Sequence, residues 1–280
     1  MHFFSSSLPP LQGSKQPLTP FRPPDLYYDE SRSAQYTSNS RIQKIQSEMT
    51  HRALSLLNLK SPSLILDIGS GSGLSGAILS SAGHTWIGLD ISASMLAVAL
   101  ENEAEGDMLL ADAGQGLAFR AGSFDAAISI SAVQWLCNAE SAVESAEGRL
   151  RRFFESLYAC LRRGGRAVCQ FYPKDERQRK IVADAAIKAG FGAGLLEDGS
   201  GTKQVKVYLV LTAGEAGDIT NVVSGMEGVE VEDARRRGKR KGERLSRKEE
   251  ILRTKERALR KGKVVKASSK YTGRKRRVQF

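Results

Sequence analysis

The run Asp-Ile-Gly-Ser-Gly-Ser-Gly at 67–73 joins a carboxylate to three closely spaced glycines, Gly69, Gly71 and Gly73. Glycines that follow a strand let the backbone turn tightly and let a ligand lie against it. A helix that begins after them presents unpaired N–H groups. Two further acids, Asp90 and Asp112, close the next two apolar runs. Open parallel sheets bind ligands beyond the carboxyl ends of their strands, where Gly69, Asp90 and Asp112 are expected to fall. A carboxylate at Asp90 can accept both hydroxyls of a ribose. Asp112, with the backbone N–H of Ala113, suits an adenine edge, and Ile91 and Met95 can pack on the ring. The pattern therefore points to an adenosine-bearing cofactor.

Gly71 to Gly76 also fits the G-x-G-x-x-G fingerprint of NAD sites. Three features favour S-adenosylmethionine. Asp67 stands just before the glycines, where it can take up an ammonium group rather than face a pyrophosphate. The last two strands form a hairpin, unlike a plain dinucleotide fold. A strongly basic tail takes up the length that a hydride-acceptor domain would need.

Other residues suit a second substrate. Trp135 follows the mouth of the fourth strand, where its ring can stack on a base, an interaction of about 1–3 kcal/mol. Packing in the core beneath the cofactor is the other reading. Tyr172, after the fifth strand, has the same two readings, and Gln134 either addresses a base edge or lies on the surface. Tyr28, Tyr36 and Arg41 precede the fold. They form a lid, with Arg41 on the methionyl carboxylate, or an N-terminal helix packed on the sheet with Arg41 solvated.

Several chemistries are excluded. No G-x-S-x-G nucleophile elbow is present. Cys137, Cys160 and Cys169 form no C-x-x-C pair, and His2, His51 and His84 are widely spaced, so no metal site is expected. Cys137 and Cys169 read as small buried apolar residues. An N-P-P-Y-like motif, expected for methylation of exocyclic amino groups, is absent, and Ser129 to Trp135 stands in its place. The longest apolar runs, such as 208–211, fall far short of the ~20 residues of a membrane span.

The elements that must position these groups are legible. Helical spacing runs over 40–59, 74–82, 92–104, 143–161 and 175–189, and strands are expected at 63–68, 85–89, 107–111, 126–131, 166–171, 195–197 and 206–211. Alternation with helices predicts an α/β fold, a seven-stranded, mostly parallel sheet covered on both faces. The last two strands leave no room for a crossover helix, so they close it as an antiparallel hairpin.

Charge divides the chain. Of its 280 residues, 42 are Lys or Arg and 31 Asp or Glu, but positions 234–280 hold 21 of the bases and 4 of the acids. An acidic body thus carries a tail of net +17. Such a tail reads as a nucleic-acid contact, a nuclear-import signal, or a solvated charge run, and 246–259 within it suits a charged helix. The expected organisation is a disordered Ser/Pro-rich extension at 1–25 without the apolar core of a secretory signal, a catalytic domain at 26–214, and a linker with basic tail at 215–280.

With these residues in view, the chain resembles the eukaryotic methyltransferases that form N7-methylguanosine in small-subunit (18S) ribosomal RNA. The resemblance rests on LLNL at 56–59, LILDIGSGSGLSG at 64–76, GLDIS at 88–92, FRAGSFDAAISISAVQWLCNA at 119–139, RRFFESLYACLRRGG at 151–165, QFYPK at 170–174 and KYTGRKRR at 270–277. It implies a Rossmann-like class I methyltransferase sheet, S-adenosyl-L-methionine as cofactor, and a pre-ribosomal substrate. It also implies action in the nucleus and nucleolus, with the cytoplasm open as well. A small zinc-bearing activator subunit is implied as partner, covering the sheet edge at the third strand. Ser70 stands where the family often has Cys, and Ala113 where it has a larger residue. Guanine N7 needs no deprotonation, so no residue is expected to act as a general base. A pre-ribosome assembly factor and a small-molecule methyltransferase remain the alternative readings.

Overall fold

The computed structural model describes residues 28–138, 145–199, 205–214 and 230–233 and, in the tail, 251, 252, 254, 255 and 265. The extension at 1–25 and nearly all of the basic tail lie outside the described residues. The chain divides into two units, Met1–Arg235 and Arg236–Phe280. In the second, the backbone at 251, 252, 254 and 255 is helical, within the stretch expected to form a charged helix.

The first unit is built on one sheet. Its strands are β1 (Leu64–Ile68), β2 (Thr85–Asp90), β3 (Asp107–Leu110), β4 (Phe124–Ile130), β5 (Leu161–Phe171), β6 (Gly192–Asp198), β7 (Lys206–Thr212) and β8 (Glu230–Asp233). Their order across the sheet is β3-β2-β1-β4-β5-β7-β6-β8. The first five pair in parallel. β7 inserts antiparallel between β5 and β6. The expected seven-stranded sheet with its closing hairpin is therefore present. The chain reverses its direction of growth between β1 and β4, which opens a crevice at their carboxyl ends.

β8 is an addition. It pairs antiparallel with β6, inside a stretch whose sequence reads as linker. Its Glu-Val-Glu-Asp run offers almost no apolar alternation. What makes it a strand is the free edge of β6, which would otherwise present unpaired N–H and C=O groups. β5 also starts earlier than the expected Arg166, because the chain enters it directly from the preceding helix at Leu161.

The helices are α1 (Glu30–Ser38), α2 (Ser40–Leu57), α3 (Leu74–Ser81), α4 (Ala93–Glu101), α5 (Ala146–Cys160) and α6 (Glu176–Lys188). Alternate residues of each central strand serve opposite faces. Ala127, Cys169, Phe171 and Leu209 pack with Phe153, Phe154 and Leu157 of α5 and Val182 of α6. Ile65, Ile128, Val168 and Val210 pack with Met49, Ala53 and Leu56 of α2. This three-layer arrangement holds the strand ends, and hence the crevice, rigid.

Candidate active site

Turns at the carboxyl ends of five strands meet around one cavity of about 1100 Å³. Eleven residues expected from sequence line it: Arg41, Gly69, Gly71, Asp90, Ile91, Met95, Asp112, Ala113, Gln134, Trp135 and Tyr172. Two others, Asp67 and Gly73, lie behind its wall.

The glycine loop needs its composition. Gly69 and Gly71 have φ of +76° and +54°, in the left-handed region that side chains disfavour. A Cβ on Gly69 would fall 2.3 Å from the Cβ of Ala132, and one on Gly71 2.9 Å from Met95 Cε. Gly73 serves the helix instead. It caps α3 with φ +82°, and a Cβ there would meet Ala104 at 3.2 Å.

Asp90 ties this loop to the next helix. Its Oδ2 accepts the Gly71 N–H at 2.8 Å and its Oδ1 the Ser92 N–H at 2.8 Å. Each oxygen keeps a further lone pair. Burial raises its pKa above the ordinary carboxylate range, and the backbone N–H bonds oppose that shift.

Asp67 is fully buried. Its Oδ2 accepts the Ser75 hydroxyl at 2.6 Å, and its Oδ1 has no hydrogen-bond partner among the described residues. Burial pushes its pKa up to about 7. The sequence places Asp67 beside the glycines but cannot show that it faces inward. Strand alternation decides that.

Asp112 carries a feature that sequence reading missed. Its Oδ1 accepts the Gly114 N–H at 2.8 Å and Arg149 Nη2 at 3.0 Å. The Arg149 side chain is only 3% exposed and lines the cavity. A Cβ on Gly114 would sit 2.7 Å from the guanidinium. Arg149 stands close to Arg151 and Arg152 in the sequence, and nothing in its immediate neighbours' charge sets it apart. The usable signal is phase: it is one helical turn from buried Phe153 and Leu150 flanks it.

At the other end stands the 3₁₀ turn Val133–Cys137. Trp135 is 8% exposed and belongs to neither apolar core cluster. It forms cavity wall. Gln134 donates its Nε2 to the Ser131 carbonyl at 2.7 Å, while its Oε1 has no partner among the described residues. Tyr172 donates to Met49 Sδ at 3.3 Å. Cys169 is buried as expected, whereas Cys137 is only half-buried. Desolvation pushes the Cys137 and Cys160 thiols up to about 11 and Cys169 to about 12.

The roof combines both N-terminal expectations. Met49, Ala53, Leu56 and Leu57 of α2 are core, whereas Arg41, Ile42 and Ile45 at its start line the cavity. Arg41 itself is exposed. Arg52 pins α2 to Asp198 of β6 through bonds of 2.8 and 3.0 Å. Tyr28 packs edge-on against Tyr36 at 5.7 Å, and its carbonyl accepts the Ser94 hydroxyl at the start of α4.

An acid-and-glycine pocket for a nucleoside thus shares one cavity with an aromatic and amide pair. A methyltransferase domain matches residues 66–169, and the family described as "Methyltransferase involved in Williams-Beuren syndrome" matches 199–278. An 18S rRNA (guanine-N(7))-methyltransferase of Arabidopsis thaliana is 48% identical, over 92% of this chain and 97% of its own. The 18S rRNA (guanine(1575)-N(7))-methyltransferase of Saccharomyces cerevisiae is 49% identical over the same shares. The chain belongs to the 18S rRNA (guanine-N(7))-methyltransferase family. A solved structure similar in fold is a phosphoethanolamine N-methyltransferase of Haemonchus contortus in complex with S-adenosyl-L-methionine (TM-score 0.52, 18% identity, 67% of this chain and 58% of that one).

The enzyme is accordingly an S-adenosylmethionine-dependent methyltransferase acting in ribosome biogenesis. Its residues fit the cofactor. The strained glycine loop and the remaining lone pairs of Asp90 suit a ligand with ribose hydroxyls that lies close against the backbone. Among the described residues, no three His, Cys, Asp or Glu side chains gather to hold a metal. No described helix is long and apolar enough to cross a membrane.

Proposed function

We propose that this cavity performs the family's reaction, methylation of guanine N7 in small-subunit ribosomal RNA, by alignment alone. The observation that carries the reading is one cavity lined both by Asp90, at the end of β2, and by Gln134 and Trp135, just after β4. When bound, S-adenosylmethionine supplies a methyl already activated by its sulfonium. The loop at 69–72 and Asp90 bind and orient the adenosine, with Asp112 and the Ala113 N–H toward the adenine. Ile91 and Met95 pack on the ring, and Asp67 acts from behind the loop through Ser75. Arg41, at the rim, pairs the methionyl carboxylate.

Trp135 stacks on the target guanine, and Gln134 Oε1 accepts from its N–H groups. Tyr172 closes the wall, and the α1–α2 roof excludes water. N7 carries a free lone pair, so no side chain has to remove a proton. Holding nucleophile and methyl in line is itself worth several orders of magnitude in rate. Trp135→Ala should lower methyl transfer to pre-ribosomal particles about tenfold while cofactor affinity by calorimetry stays within about threefold. Unchanged transfer would return Trp135 to a packing role.

The basic tail serves as a phosphate contact and nuclear address, supported by its net +17. The enzyme would thus work in the nucleus and nucleolus. A small zinc-bearing activator subunit covers the edge at β3. Its support is apolar exposure: Leu109 is 42%, Leu110 61% and Leu100 67% exposed. Beside them lies a second cavity, about 650 Å³, whose lining includes Leu110, Ile91 and Asp112. A subunit there would press on the wall of the cofactor pocket.

A further inference from the structure

Three non-glycine residues among those described have positive φ: Asn58, Glu103 and Ser131. Asn58 and Glu103 follow helix ends, where a left-handed residue is an ordinary stop. Ser131, at φ +57°, instead follows strand β4 and lines the active-site cavity. Such a conformation persists only where the surroundings impose it, and it concentrates at functional sites.

The imposing group is Gln170 of β5, whose side chain is completely buried. Its Oε1 accepts the Ser131 N–H at 3.1 Å and the Ser131 hydroxyl at 2.9 Å. Its backbone carbonyl accepts the same N–H at 3.0 Å. A backbone N–H can only donate, so the amide oxygen must face Ser131. This leaves Gln170 Nε2 with no partner among the described residues. A buried donor left unsatisfied is costly, and its retention calls for a reason.

The reason lies in what hangs from Ser131. Its carbonyl accepts Gln134 Nε2 at 2.7 Å. Ala132, the next residue, fills the space beside Gly69 where a Cβ would clash. The Ala132 carbonyl accepts the Trp135 N–H at 3.0 Å. One left-handed residue thus sets the direction of the whole turn against the cofactor loop. Gln170 does not itself line the cavity, so it acts through Ser131.

We propose that Gln170 is a positioning residue for methyl transfer: by clamping Ser131 left-handed, it sets Gln134 and Trp135 for the target guanine. The inference rests on the base-binding role of that turn. Full-length Gln170→Met, similar in length but without the acceptor, should lower kcat on pre-ribosomal particles about tenfold, with the calorimetric Kd for S-adenosylmethionine changed less than about threefold. Adding Ser131→Gly should recover most of that loss, because glycine adopts positive φ unaided. A purely structural role predicts no such rescue. Unchanged kcat in Gln170→Met, or a loss that Ser131→Gly does not recover, would overturn the proposal. If Gln170→Met does not fold, Ser131→Ala removes one clamp donor, and full activity there would sink the idea equally. Trp135→Ala, run in parallel, separates the two readings. Full turnover in Trp135→Ala would refute the base-binding role, whereas a slow Trp135→Ala beside a fast Gln170→Met would refute only the clamp.

Discussion

Asp67 has its carboxyl sealed from water behind the glycine loop, and this makes the fold sensitive to pH. Burial raises its pKa from the ordinary 3.8 to about 7, so the folded state holds a proton that the unfolded state releases earlier. Between these values the native protein binds more protons, and stability must fall as pH rises. Asp90, also raised by burial, contributes in the same direction. The cofactor-free protein should therefore lose thermal midpoint between about pH 4 and pH 7, and Asp67→Asn should flatten much of that fall, as read by calorimetric scans. A midpoint that rises over the same interval would contradict the burial account. The same carboxyl explains why Ser75 follows the glycines: its hydroxyl donates the hydrogen bond that Asp67 accepts inside the protein.

At the scale of elements, α5 grips the loop after β3 at three points. Arg149 bonds Asp112, Arg152 Nε bonds the Gly114 carbonyl at 2.8 Å, and Ser156 Oγ accepts the Leu117 N–H at 2.9 Å. These residues follow helical spacing on one face. Breaking a buried ion pair from one side costs about 3–5 kcal/mol. The Asp112 side chain keeps 20% exposure, so Arg149→Met should cost about 3 kcal/mol in urea unfolding and weaken cofactor binding about tenfold. Adding Asp112→Asn should restore stability without restoring affinity, because the adenine end of the pocket then lacks both charges. If affinity survives in the single variant, the grip is structural only.

The whole molecule carries two features of different character besides the catalytic cavity, an apolar edge and a strongly basic tail sequence. If the proposed activator subunit docks on this edge, Leu110→Lys should abolish their co-purification while leaving the isolated fold intact by circular dichroism, since Leu110 is already 61% exposed. Retained complex would move the interface elsewhere. Truncation after Asp233, which keeps β8, should weaken binding to small-subunit RNA and flatten its dependence on salt concentration. Every phosphate that the tail neutralises steepens the logarithmic slope by about 0.7–0.9, through the counterions it releases. An unchanged slope would assign RNA binding to the body.

Local chemistry made the glycine loop, the acids at strand ends, the alternating strands and the closing hairpin readable from sequence alone. Each rests on spacing within a few residues, through positive φ, pleat periodicity or a loop too short for a crossover. The family signature was readable for the same reason, since it lies in contiguous runs. Five things depended on how segments pack together. Asp67 turned out to lie behind the cavity and Gly73 to serve a helix cap, because strand direction and packing choose which face a residue shows. Arg149 reached Asp112 across 37 positions, and Gln170 reached Ser131 across 39. β8 formed because β6 had an open edge rather than because its own residues favour a strand. The sequence by itself determined which cofactor is held and by what kind of turn. The tertiary structure decided which buried polar side chains hold that turn and its neighbours in place, because a hydrogen bond across the sheet leaves no periodic trace in the chain.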